Sequence, residues 1–185
     1  MRILRLLATG WLMLVLPLSA SCNSQSVAKL ASATDEAGDR LPRLTGRVVD
    51  NANLIAPSAE AQLTRRLSAL ETRTTDQFVV VTLPSLGGET IEQYGLRLGR
   101  GWGIGQRGKN NGVLLIVAPT ERKVRIEVGY GLENRLTDPI AAGIIQARIL
   151  PEFRAGRMEE GIVEGVDGIL AVLDAGSSAE RKMAA

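Results

Sequence analysis

The sequence predicts an α/β domain in which helices cover a small mixed sheet, placed behind an export leader and a short tether. Two runs, Phe78–Leu83 and Val113–Val117, are apolar on both faces and too short for helices, so they read as central strands. Between them, Glu89–Arg100 carries Ile91, Tyr94 and Leu98 at helical spacing. Strand, helix, strand in that order implies a parallel crossover. After the second run comes a tight link, Ala118–Arg122, and then an alternating segment, Lys123–Tyr130. A link that short forces the third strand to pair antiparallel with the second.

The remaining elements follow along the chain. Pro57 suits the first turn of a helix, and Leu63, Leu67 and Leu70 fall on one face with Arg65, Arg66 and Glu71 elsewhere. In the alternating strand, Val124, Ile126, Val128 and Tyr130 share one face, and Lys123, Arg125 and Glu127 share the other. A helix is expected from Asp138 to about Leu150, with Thr137 as its N-cap. Another runs from Arg157 to Leu173, its stripe formed by Ile162, Val166, Ile169, Leu170 and Leu173. The domain is thus expected over residues 45–173, with 174–185 as a polar, frayed tail.

Composition narrows the chemistry. The 185 residues are 45% hydrophobic and 23% charged, as in one globular domain. Removing Arg2 and Arg5 with the leader turns 22 basic against 20 acidic residues into an even balance. No basic field is left to draw in a polyphosphate, so nucleic acid is not an expected partner. The chain has no histidine, which excludes Ser-His-Asp and Cys-His catalysis and His-ligated zinc.

Residues 1–21 read as a signal peptide: Arg2 and Arg5, an apolar stretch from Leu6 to Leu18 interrupted by Pro17, then the small residues Ser19, Ala20 and Ser21. The stretch is short of the ~20 residues a membrane span needs. The only cysteine, Cys22, follows directly, and Leu18–Cys22 resembles a lipobox, although Ser19 stands where an aliphatic residue is usual. Two readings follow, lipidation of Cys22 or cleavage at Ser21 with a spare thiol. A lone cysteine in an exported protein has no disulfide partner, which favours lipidation. Asn23 after it points to the outer membrane under the sorting rule for Gram-negative lipoproteins. Residues 22–44, rich in Ser, Ala and Asp, then form a lipid-anchored flexible linker with a reach of about 25 Å.

The hairpin gathers a second set of residues. The loop entering Val113–Val117 and the loop leaving Lys123–Tyr130 must lie at one end of the sheet, which brings Asn110, Asn111, Glu133 and Asp138 together. Asp76 joins them through the parallel strand, and Asp50 is placed with them if its own segment adds to the sheet. Oxygen-rich loops suit a hard cation such as calcium, and Asp50, Asn111, Glu133 and Asp138 are the candidate ligands. The competing reading is turn and cap chemistry, with Asn110-Asn111-Gly112 as a turn and Asp138 favoured by a helix macrodipole. This cluster also sits at the amino ends of the two apolar strands, whereas parallel sheets usually bind ligands at the carboxyl ends. Arg125 and Glu127 project from one face of a strand and read as a structural ion pair under a helix. Trp102, among Gly101, Gly103 and Gly105, reads as a packing anchor or as a partner surface. Those glycines lead from a helix into a strand, the reverse of a phosphate-binding loop.

The blocks Trp102-Gly103-Ile104-Gly105, Asn110-Asn111-Gly112-Val113-Leu114-Leu115, Arg122, Arg125–Glu133 and Leu136-Thr137-Asp138 together resemble the TPM-domain family, from near Val48 to Val166. The resemblance implies a three-layer α/β/α sandwich and an extracytoplasmic location, with calcium binding in some members and acid phosphatase activity reported for others. Two functions are therefore expected. One is a membrane-tethered, calcium-binding interaction or maintenance module for envelope proteins. The alternative is a metal-dependent, acid-phosphatase-like hydrolase in which Arg122 or Lys109 offsets charge, an activity resting on family analogy alone.

The anchor is directly testable. Cys22→Ser is expected to abolish incorporation of labelled palmitate and to move the protein from the membrane fraction to the periplasmic fraction; an unchanged distribution would refute lipid tethering.

Overall fold

The computed structural model describes residues 41–183. The predicted leader, Cys22 and most of the predicted linker lie outside these residues.

A four-stranded mixed sheet has the order β1 (Val48–Asp50), β2 (Gln77–Thr82), β3 (Gly112–Ala118), β4 (Lys123–Val128). The first three strands are parallel and β4 is antiparallel to β3. The helices are α1 (Pro57–Thr74), α2 (Ile91–Trp102), α3 (Asp138–Ile144), α4 (Leu150–Arg154) and α5 (Met158–Met183), with a π-helical segment, Ile145–Ile149, joining α3 to α4. The central strands are apolar throughout because both of their faces are covered. On one face Phe78, Val80, Val113 and Leu115 pack against Leu63, Leu67 and Leu70 of α1 and Ile162, Val166 and Ile169 of α5. On the other, Val79, Val81, Leu114 and Ile116 meet Ile91, Tyr94 and Leu98 of α2. This is the expected three-layer α/β/α arrangement.

Local chemistry fixes the helix starts. Thr90 and Gln93 form a reciprocal capping box at α2, and the Thr137 hydroxyl accepts from the amide of Ile140 at α3, as predicted. Pro151 cannot donate an amide hydrogen, and the helical path around it passes through the π segment before resuming as α4. Arg125 and Glu127 form the expected ion pair at 2.6 Å, and α2 approaches it closely through Gly95, where a Cβ would come within 3.2 Å of a Glu127 carboxylate oxygen.

Two expected boundaries move. The last helix continues past Leu173 to Met183 where a frayed tail was predicted. Its extension is held because Arg135 donates to the Leu173 carbonyl at 3.3 Å and to the Ser177 hydroxyl at 2.8 Å. At the other end, folded packing starts before residue 45. Leu41 packs against the α2-side core, and Trp102 Nε1 donates to the Pro42 carbonyl at 2.8 Å. Trp102 is therefore the packing anchor of the two readings given above. Among the described residues no helix is long and apolar enough to cross a membrane.

Backbone proximity after β4 requires glycine. A Cβ on Gly131 would overlap the Lys109 carbonyl oxygen, whereas one on Gly143 in α3 would meet nothing within 4 Å. Gly131→Ala is expected to lower unfolding free energy by about 1–3 kcal/mol, and Gly143→Ala to raise it by roughly 0.5–1 kcal/mol. Urea denaturation of both variants checks the contrast.

Candidate functional site

The amino end of the sheet is built around a loop that returns from α2 to β3. Gly103 ends α2 in the left-handed region at φ 61°, with its amide bonded back to the Gly99 and Arg100 carbonyls. The amide of Gly105 donates to Gln77 Oε1 at 2.7 Å, and the amide of Gln106 donates to Asn111 Oδ1 at 2.9 Å. Side chains at the starts of β2 and β3 thus hold the loop down. The segment leaving β4 closes over it, since Gly129 and Gly131 donate their amides to the Gly112 and Asn110 carbonyls.

Beneath the loop lies a buried polar network. Asp76, 2% exposed, accepts from Arg135 Nη2 at 3.0 Å on one oxygen and from Asn111 Nδ2 at 3.3 Å on the other. Asn111 Nδ2 also donates to the Thr75 carbonyl at 2.8 Å. One carboxylate therefore joins the loop before β3, the segment after β4 and, through Arg135, the end of α5. Sequence reasoning placed Asp76 at this end but missed Arg135 and Ser177. Arg135 carries no periodic signal, and Ser177, four residues after Leu173 on the same helix face, lies past the end predicted for that helix.

The predicted ligand set is not brought together. Asp50 ends β1 beside Thr82, at the carboxyl end of the parallel strands. Asn111 lies at the amino end beside Gln77, five residue steps along β2, or roughly 16 Å at ~3.3 Å per residue. The Asp50 segment does add to the sheet, as the expectation required, but at the wrong end. There its carboxylate accepts from the Thr82 hydroxyl at 2.5 Å and from the amides of Leu54 and Ile55 at 3.0 and 2.9 Å, which fixes the turn into α1. Asn111 is 4% exposed and its side-chain oxygen already accepts from Gln106. The four residues therefore do not fit one cation. Glu133 and Asp138 are exposed, on the segment that follows β4 and at the start of α3. Among the described residues, no group of three or more Asp, Glu, His or Cys side chains is arranged to hold a metal.

What the fold does create here is an open groove of about 720 Å³ between α2, the glycine loop and the end of β4. Leu96 on α2, 44% exposed, and Tyr130, 81% exposed, stand along it with Arg100, Arg107, Glu127 and Glu133. Tyr130 corrects the sequence reading, which placed it in the third strand on the face shared by Val124, Ile126 and Val128. Pairing stops at Val128, and residues 130–132 form a 3₁₀ turn that swings the ring outward. The flanking Gly129 and Gly131 were the signal that the strand ends before Tyr130.

A family description, the TPM domain, matches residues 48–172. The solution structure of the N-terminal domain of a protein from P. gingivalis is 38% identical, with a TM-score of 0.71, covering 76% of this chain and 93% of that one. Two further solution structures share the fold alone. The N-terminal domain of a Corynebacterium glutamicum protein is 15% identical with a TM-score of 0.54, covering 72% of this chain and 83% of that one. A protein from the psychrophilic bacterium Bizionia argentinensis is 18% identical with a TM-score of 0.55, covering 64% and 81%. Among curated proteins no relative matches.

The buried pair gives a stability prediction. Arg135→Ala leaves Asp76 charged and buried without its cation and is expected to cost about 3–5 kcal/mol. In a double-mutant cycle with Asp76→Asn, the combined loss should fall well below the sum of the single losses; additive losses in chemical denaturation would contradict the network.

Proposed function

The chain belongs to the TPM-domain family, and from that premise we propose that it is a tethered binding module of the cell envelope, presenting the groove beside Tyr130 to an envelope protein. The observation that carries this reading is the exposure of Tyr130 next to Leu96 at the mouth of the groove. An aromatic ring left in water has no folding role to explain it, and such rings often dominate the energy of protein interfaces. Arg100 and Arg107 line the groove together with Glu127 and Glu133. That mixture suits a polypeptide segment with its own polar groups better than a nucleic acid.

Tethering through a lipid on Cys22, facing the periplasm from the outer membrane, belongs to the same reading. The support is the signal-like leader, the lone cysteine and the linker-like composition that follows. Calcium binding belongs to it as well. It rests on the exposed carboxylates of Glu133 and Asp138, neither of which has an ion-pair or hydrogen-bond partner among the described residues. A calcium ion there would have to complete its about six to eight oxygens from main-chain carbonyls and water. The groove offers no feature among the described residues that favours hydrolysis over binding.

In-cell cross-linking tests the module. Wild-type protein is expected to capture a discrete envelope partner, and Tyr130→Ala, with unchanged thermal unfolding, to reduce capture by roughly tenfold or more, as for an interface hot spot. Equal capture by the variant would remove the groove from the reading. Capture that is indifferent to a calcium chelator would remove the cation.

A further inference from the structure

At the carboxyl end of β3, opposite the Tyr130 groove, a second cavity of about 600 Å³ opens between the β3–β4 hairpin, α4 and the first turn of α5. Its walls include Val117, Val124, Leu150, Phe153 and Met158, and its rim carries Arg122 and Arg154. The size falls within the ~300–1,000 Å³ typical of small-molecule sites. The carboxyl ends of parallel strands are also where such sheets usually bind ligands.

The charges at this cavity are one-sided. Arg122 and Arg154 are exposed and have no ion-pair or hydrogen-bond partner among the described side chains. The acidic residues nearest in sequence are committed elsewhere. Glu121 accepts from the Ser85 hydroxyl at 2.6 Å and the Leu86 amide at 2.8 Å, which holds its carboxyl below the usual range. Glu152 pairs with Arg157 at 2.5 Å, and Glu159 accepts from the amide of Ala56 at 2.5 Å. Arg122 is moreover held at φ 53° at the end of the hairpin turn, a conformation that glycine or asparagine adopts more easily.

We propose that this cavity binds the anion of a fatty acid, with the alkyl chain against Val124, Leu150, Phe153 and Met158 and the carboxylate between Arg122 and Arg154. The apolar walls select the chain. The guanidinium groups select a carboxylate head, for which arginine has the matching planar donors.

The test is calorimetric titration of the full chain from Cys22 onward, bearing Cys22→Ser so that no lipid of its own competes, with dodecanoate below its micelle concentration. Saturable one-site binding is expected, with dodecyltrimethylammonium and acetate both binding far more weakly. Arg122→Gly removes one guanidinium while suiting the positive φ, and with Arg154→Gln it should weaken dodecanoate binding by about tenfold or more. Tyr130→Ala should leave it unchanged, which separates this site from the groove. The proposal is overturned by the absence of saturable binding, by equal affinity for the cationic amphiphile or for acetate, by insensitivity to the two arginine substitutions, or by loss on Tyr130→Ala.

Discussion

The carboxylate of Asp76 is the point on which the amino end of the domain depends. It is buried, and a buried charge is tolerated only when paired and hydrogen-bonded. Arg135 supplies the charge and Asn111 a further donor. Because these partners come from the segment after β4 and the start of β3, satisfying one carboxylate fixes the relative position of both. The same guanidinium then reaches Ser177 and the Leu173 carbonyl, so the last helix is docked by a group whose first partner lies near the start of β2. The glycine loop, held through Asn111, and the groove beside it rest on this arrangement.

The strands and most helices were legible in the sequence because their signals are local. Phe78–Leu83 and Val113–Val117 show double-sided burial directly, and Thr137 announces a helix start. What was not legible depends on partners distant along the chain. The final helix runs on past Leu173, where Arg135, from a non-helical segment, donates to the Leu173 carbonyl and the Ser177 hydroxyl. Asp50 was read as a member of the loop cluster, yet its strand aligns with the far half of β2, which no local pattern encodes. Tyr130 continued the alternation of the strand before it, and only the glycines on either side contradicted that alternation.

The sheet presents two chemically different ends. At the amino ends of the parallel strands lies a broad groove with charges of both signs and an exposed aromatic ring. At the carboxyl end of β3 lies an apolar recess with arginines at its rim. The expectation of a ligand site at the amino end conflicted with the usual behaviour of parallel sheets. The conflict eases if the amino end receives a protein and the carboxyl end a small molecule.

Among the described residues the strand order leaves β1 and β4 as open edges, each offering main-chain groups that a stray strand from another molecule could pair with. β1 is three residues long and gives little purchase. β4 is twice that length, but Lys123, Arg125 and Glu127 alternate along it, with Arg125 and Glu127 already joined by their ion pair. A second β4 approaching in the antiparallel sense would have to bring these charged side chains together and partly dehydrate them. The dehydration of these charges opposes sheet extension between copies through β4.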